Sequence, residues 1–158
     1  MSTAHHEAGH AVASYCRRIP INTVCIGRLG GTDGHFAPGI DPTTAMASGD
    51  IDGLRQQVEV FGIILCAGPE AQRLYDPRGF HADHAAGDWS MARRLLTLMS
   101  GDAEVREAYL NLYGVLARKL LQRPNVWAAV RSLADALVDC RSLAGDQATA
   151  VIRGAMGR

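Results

Sequence analysis

The chain has 158 residues, of which 47% are hydrophobic and 20% charged, so we expect one domain over residues 1–158 with a sizeable core. Its 16 Lys and Arg residues balance 16 Asp and Glu residues, and no basic run is present, which argues against nucleic acid or an anionic membrane as a partner. The longest apolar stretch, Val58 to Gly68, is too short to span a bilayer, and the first residues lack a signal-peptide pattern, so the sequence predicts a cytoplasmic protein without a membrane partner.

The first part of the chain predicts one helix followed by a small β-ribbon. Apolar residues at helical spacing over residues 4–19 indicate the helix, which Ser2 or Thr3 can cap. The predicted ribbon consists of a strand at Ile21–Ile26, a glycine-rich turn at Leu29–Gly34 and a strand at Gly34–Ala37, followed by a loop at Pro38–Gly49.

The remainder predicts helices joined by short loops. Asp50 can cap a helix that ends near Cys66, where Ala67-Gly68-Pro69 is expected to break it, and Ser142 can cap the last helix. The other predicted elements are a turn at Glu70–Tyr75, a loop at Asp76–Gly87, and helices at Trp89–Met99, Ala103–Gln122, Pro124–Cys140 and Ser142–Arg153. The expected fold class is mainly α, a cluster of about six helices with a small two-stranded β-ribbon.

The most informative motif is His6-Glu7-Ala8-Gly9-His10, an HExxH pattern on the first predicted helix. At about 3.6 residues per turn the two histidines lie about 40° apart on one face, so both imidazoles can bind one metal ion. Glu7 then stands beside the metal-bound water as a general base. Gly9 costs about 1 kcal/mol relative to Ala in mid-helix, which predicts close packing against it. His5 points about 100° away from His6 and is expected to be solvated.

A catalytic zinc site needs a third protein ligand and an open position for water. The candidates are Asp88, His84, His81, Asp83 and Glu70. Spacing does not rank them, but a ligand at a helix start is held more rigidly than one in a Gly/Ala-rich loop, which favours Asp88. The cysteines show no CxxC spacing, and Cys25 and Cys66 lie in apolar runs, so we expect buried free thiols there rather than metal ligands.

Four segments follow one another along nearly the whole chain: HEAGHAV at residues 6–12, the ribbon ending in Gly34-His35-Phe36, IILCAGPEAQ at residues 63–72, and GDWSMA at residues 87–92. Together they resemble the peptidase domain of FtsH-type zinc metalloproteases. The Asp of the last segment is the third zinc ligand in that family, so the resemblance implies this role for Asp88. It also implies a cluster of helices with a small β-ribbon, and substrate binding by strand addition at Gly34, His35 and Phe36.

The chain departs from that family in two respects. It contains no GxxxxGK[ST] motif, so no ATP dependence is implied, and the expected substrates are unfolded, flexible or short polypeptides, with or without a partner protein that delivers them. Gln72 and Arg73 stand where the family has Glu-Glu, and Glu70 could substitute from one turn earlier. If that acid orients a ligand, its loss typically costs 10–100-fold in metal affinity or activity. A monomer, a small homo-oligomer and a ring are equally consistent with the sequence.

The leading functional hypothesis is a Zn²⁺-dependent, ATP-independent endopeptidase or peptidase. Zinc on His6, His10 and Asp88 activates a water, and Glu7 takes the water proton and returns it to the leaving amine. Fe(II) and Mn also suit a site of two His and one carboxylate. The alternatives are a metal-binding interaction or regulatory module derived from a protease, with lost or narrow activity, and other metallohydrolase chemistry. A fourth protein ligand from His81 or His84 would favour the module, because structural zinc sites are usually closed.

Overall fold

The computed structural model describes residues 1–29, 32–38 and 51–157 and contains six α-helices and a small sheet. The helices are α1 (Ser2–Cys16), α2 (Ile51–Tyr75), α3 (Ala86–Leu96), α4 (Ala103–Leu121), α5 (Pro124–Cys140) and α6 (Gly145–Ala155). This confirms the predicted fold class. The predicted loop after Pro38 and the predicted cap at Asp50 lie outside the described residues.

The sheet is antiparallel and has three strands in the order β2-β1-β3, which are β1 (Ile21–Leu29), β2 (Thr32–Pro38) and β3 (Ser142–Ala144). The ribbon strands β1 and β2 are longer than predicted, and β3 is a third strand that the sequence pattern does not predict. The predicted cap of the last helix by Ser142 is wrong, because residues 142–144 pair with β1 and α6 begins at Gly145. A Cβ at Gly145 would lie 1.7 Å from the Ile21 carbonyl oxygen, so only glycine lets α6 start this close to β1.

Helix α2 is the central helix, and it contacts α1, α3 and α4. The predicted break at residues 67–69 is wrong, because α2 continues through Pro69 to Tyr75. A proline inside a helix costs about 3 kcal/mol, since it removes one N–H donor and crowds the preceding turn. Nearly every residue from Phe61 to Gln72 is buried, and this packing outweighs the local cost of the proline.

Helix α1 is buried nearly all round, between α2, α5 and the sheet. Its N-cap is Met1 and no side chain caps it, so the predicted cap by Ser2 or Thr3 is wrong. The expected solvation of His5 is also wrong, because His5 is 2% exposed and its ring stacks on Tyr75 with centroids 3.7 Å apart. The burial of His5 follows from the packing of α1, which lacks the solvated face of an ordinary amphipathic helix.

The predicted state of the cysteines is confirmed, since Cys25 and Cys66 are buried free thiols. Burial, with the nearby charges of Glu70 and Asp88, raises the pKa of Cys66 to about 12. Across the described parts of the chain, none of the helices has both the length and the apolar character that a membrane span requires.

Candidate metal centre

Two histidines extend from one face of α1 towards α2. The Nε2 atoms of His6 and His10 lie 3.1 Å apart, and their side chains are 12% and 6% exposed. Glycines make room for this arrangement: a Cβ on Gly9 would lie 2.5 Å from the Ala67 carbonyl oxygen, and one on Gly68 would lie 2.2 Å from His10 Nε2. The close packing predicted at Gly9 is therefore confirmed, and the absence of a side chain at Gly68 leaves the space that the His10 imidazole fills.

Asp88 meets the two histidines from the first turn of α3. Its Oδ2 lies 3.0 Å from His6 Nε2, and its Oδ1 lies 3.4 Å from His10 Nε2. The potential ligand atoms of these three residues all lie within 4.8 Å of one another. No other group of this kind occurs in residues 1–29, 32–38 and 51–157. Of the candidate third ligands, the structure thus brings Asp88 to the histidines and does not bring the remaining four, His84, His81, Asp83 and Glu70.

Hydrogen bonds to oxygen atoms fix both imidazole rings. His10 Nδ1 lies 2.8 Å from the Ile64 carbonyl oxygen, and His6 Nδ1 lies 3.1 Å from Gln72 Oε1. Both oxygens can only accept, so each Nδ1 carries the proton and donates it. Each Nε2 is then available as a metal ligand, and outer partners of this kind usually orient metal-binding histidines.

The donor set fits one small metal ion. Two Nε2 atoms and a carboxylate face one another over 3.0 to 3.4 Å, an arrangement that is repulsive unless a proton or a cation lies among them. In a tetrahedral site with bonds of about 2.0–2.1 Å, neighbouring ligand atoms lie roughly 3.3 Å apart. The measured separations of the His6, His10 and Asp88 atoms match this spacing.

In the absence of a metal ion, charge couples the same three residues to one another. Burial of His10 opposes its protonation, but Asp88, Glu7 and the Ile64 carbonyl together raise the pKa of His10 to about 9. Burial likewise opposes ionisation of Asp88, yet His10 and His6 hold the pKa of this carboxyl well below its ordinary value. Asp88 is therefore ionised at neutral pH and is balanced by a proton on His10, which a bound metal ion would displace.

Glu7 adds a second carboxylate beside the three candidate ligands. It is 6% exposed, and its negative charge contributes to the raised pKa of His10, so the two groups are close in space. Glu7 does not belong to the cluster of potential ligand atoms. Glu7 therefore adds negative charge beside the site without being one of the three candidate ligands.

Gln72 contacts the candidate metal centre, and the sequence pattern does not predict this contact. Gln72 is 4% exposed and its Oε1 accepts the hydrogen bond from His6, so it contacts a candidate ligand, and the expected loss of metal affinity or activity stays a prediction. Glu70 does not take over this role; its Oε1 lies 3.2 Å from Arg73 Nη1 instead. The sequence feature that could have placed Gln72 at the site is helical spacing, because Gln72 lies one turn after Gly68 on the face of α2 that contacts α1.

The predicted substrate-binding segment lies in β2, beside α1. The backbone of Gly34, His35 and Phe36 pairs with Ile26, Cys25 and Val24 of β1, respectively. Since β2 is an outer strand of the sheet formed by the described strands, its other backbone edge is not paired within that sheet. The predicted apolar contact of Phe36 concerns its side chain, and for residues 32–38 the structure describes the backbone pairing.

Comparison with protein-family models and with curated protein sequences gives no match for this chain. Inference about function therefore rests on the geometry and chemistry of the site itself.

Proposed function

We propose that this chain is a zinc-dependent peptidase domain of the FtsH type that hydrolyses unfolded or flexible polypeptides. One observation carries the proposal, namely the convergence of His6 Nε2, His10 Nε2 and the Asp88 carboxylate within 4.8 Å. These ligands come from an HExxH helix and from the start of a later helix, in the order that the resemblance implies. The buried Glu7 lies beside them, as a hydrolytic site requires.

Zinc is the metal that we propose, because two imidazoles and one carboxylate with an open position suit it, although Fe(II) and Mn share this preference. The open position is supported by the state of His84, whose Nδ1 lies 3.0 Å from Gln72 Nε2 and accepts its N–H. Neither His84 nor His81 belongs to the ligand cluster among the described residues. A three-ligand site favours catalysis over the alternative of a closed, metal-stabilised interaction module.

In the proposed reaction, bound zinc would polarise the scissile carbonyl and lower the pKa of the attacking water. His6 and His10 would hold the metal through Nε2 while their Nδ1–H groups donate to Gln72 Oε1 and to the Ile64 carbonyl oxygen. The Glu7 carboxylate would take the proton from the water and deliver it to the leaving amine. The position of Glu7 supports this role, because it is buried and its charge acts on the neighbouring candidate ligand His10.

The proposed substrate is an extended polypeptide that adds to the outer edge of β2, where backbone hydrogen bonds supply affinity without demanding one sequence. The position of β2 beside α1 supports this choice. The reaction that we propose consumes no ATP and takes place in the cytoplasm. Access to folded substrates would need a partner protein that delivers unfolded segments, and a homo-oligomer is compatible with the same site.

The ligand set is tested with two matched variants, Asp88→Asn and Asp83→Asn. Both remove one negative charge from the same short segment, but only Asp88 contacts the histidines. Asp88→Asn is expected to lower Zn²⁺ affinity by at least about 100-fold and to abolish cleavage of unfolded casein, because it removes a ligand rather than its support. Asp83→Asn should retain both properties. Equal zinc binding by the two variants would contradict the proposed site.

A further inference from the structure

The Gln72 side chain joins the metal centre to the short 3-10 turn Ala82–Ala85, which precedes α3. Its Oε1 lies 3.1 Å from His6 Nδ1, and its Nε2 lies 3.0 Å from His84 Nδ1. We propose that His84 is a positioning residue that fixes the orientation of the Gln72 amide and, through the hydrogen bond from His6 Nδ1 to Gln72 Oε1, the orientation of the His6 ring. This inference rests on the proposed metal site.

The two ends of an amide are chemically opposite, and this makes the orientation of Gln72 consequential. Oε1 can only accept a hydrogen bond and Nε2 can only donate one. In the observed orientation His6 Nδ1 donates to Gln72, while His84 Nδ1 accepts from it. Both ends of a side chain that is 4% exposed are thereby satisfied.

A half-turn of the amide would reverse both contacts. The Gln72 N–H group would then face the N–H of His6 Nδ1, so two donors would oppose each other and the hydrogen bond that orients the His6 ring would be lost. Nε2 of the same ring faces Asp88 and His10, so a change in the ring orientation would move a proposed metal ligand. His84 opposes this rotation as long as its Nδ1 accepts, because the rotated amide would present its oxygen to that lone pair.

The same reasoning explains how the Gln72 amide can orient a histidine at a position where the FtsH-type family, which the chain resembles, has a carboxylate. A carboxylate accepts at both oxygens, so it supports a histidine in either orientation. An amide needs a partner that selects one end, and His84 occupies that position. The segment that supplies Asp88 as a ligand therefore also supplies the residue that orients the ligand His6.

The test is a cycle of four proteins: wild type, His84→Ala, Gln72→Glu, and the double variant. Zn²⁺ affinity is measured for each by competition with a chromophoric chelator, and thermal midpoints report on folding. His84→Ala is expected to lower the affinity of the Gln72 protein about 3–10-fold, less than a typical direct outer partner. In the Gln72→Glu background the same change should alter the affinity less than about twofold, because the introduced carboxylate accepts at either oxygen and needs no orientation.

A matched variant separates hydrogen bonding from bulk. His84→Asp places an oxygen that can only accept near the position of Nδ1, and it should keep at least about half of the Zn²⁺ affinity of the wild type. Equal losses from His84→Ala in both backgrounds, no loss in either, or a loss in His84→Asp as large as that in His84→Ala would overturn the inference.

The affinity measurement also separates this inference from the proposed function. Wild-type protein that binds Zn²⁺ but cleaves no polypeptide would contradict the peptidase proposal and leave the cycle to decide the role of His84. Wild-type protein that binds no Zn²⁺ would overturn both.

Discussion

Replacement of Gly68 by alanine should remove metal binding while the fold persists. A Cβ at this position would lie 2.2 Å from His10 Nε2, more than 1 Å closer than an ordinary contact of about 3.5 Å between nonbonded heavy atoms. The imidazole would have to move by about that amount, whereas metal–ligand distances tolerate only about 0.2 Å. We therefore expect Gly68→Ala to lower Zn²⁺ affinity at least about 100-fold.

The effect of this substitution on stability should be much smaller than its effect on the site. Alanine gains about 1 kcal/mol over glycine in a helix interior, whereas displacement of His10 costs about 1–3 kcal/mol through overpacking. The net loss should thus stay within about 2 kcal/mol. Gly114→Ala is the matched control, because Gly114 lies in α4 and its nearest neighbour, Glu70 Oε1, would be 3.9 Å from the new Cβ.

The assay combines chelator competition with urea unfolding for Gly68→Ala, Gly114→Ala and the wild type. Gly114→Ala should bind Zn²⁺ normally and unfold at the same or a higher urea concentration. Wild-type zinc affinity in Gly68→Ala would refute the placement of His10 against α2.

Three further results are expected. In the metal-free protein the pKa of His10 is about 9, above its ordinary 6.5, so protonated His10 contributes its full stabilisation below pH 6.5 and loses it as the pH rises through 9. The thermal unfolding midpoint in EDTA should therefore fall over this pH interval. A flat or rising midpoint would argue against the charged pair of His10 and Asp88. Gly9→Ala should destabilise the protein by about 1–3 kcal/mol in urea unfolding, because the new Cβ would lie 2.5 Å from the Ala67 carbonyl oxygen. A gain in stability would show that α1 and α2 pack less closely than the structure indicates. Iodoacetamide at pH 8 should modify exposed Cys140 and spare Cys66, because the Cys66 thiol is buried and its pKa is raised to about 12. Equal labelling of the two cysteines by mass spectrometry would contradict the burial of Cys66.

The sequence was sufficient to predict the features that depend on local periodicity. The HExxH spacing placed His6 and His10 on one face of a helix, and Gly9 predicted close packing, because both follow from the geometry of a single helix. Asp88 could be favoured as a ligand from its position at a helix start. Confirming that it reaches the histidines required the fold, because the two segments are 78 residues apart, from His10 to Asp88.

Tertiary contacts explain what the sequence did not predict. Pro69 signals a helix end locally, but burial of the surrounding residues keeps α2 continuous. Ser142 resembles a helix cap, yet it joins β1 as a strand because that edge of the ribbon is open to pairing. The role of Gln72 depends on partners 66 residues before it and 12 residues after it, and no pattern within α2 reveals such partners.

The central claim is tested most directly by cleavage of an unfolded, fluorescently quenched casein by the zinc-loaded protein, with Glu7→Gln compared at equal bound zinc. Because Glu7 is not among the ligands, we expect both proteins to bind one Zn²⁺ each and only the wild type to cleave, with a loss of at least about 100-fold in Glu7→Gln. Equal cleavage by both proteins, or one bound zinc in each with no cleavage by either, would contradict a metallopeptidase in which Glu7 is the base.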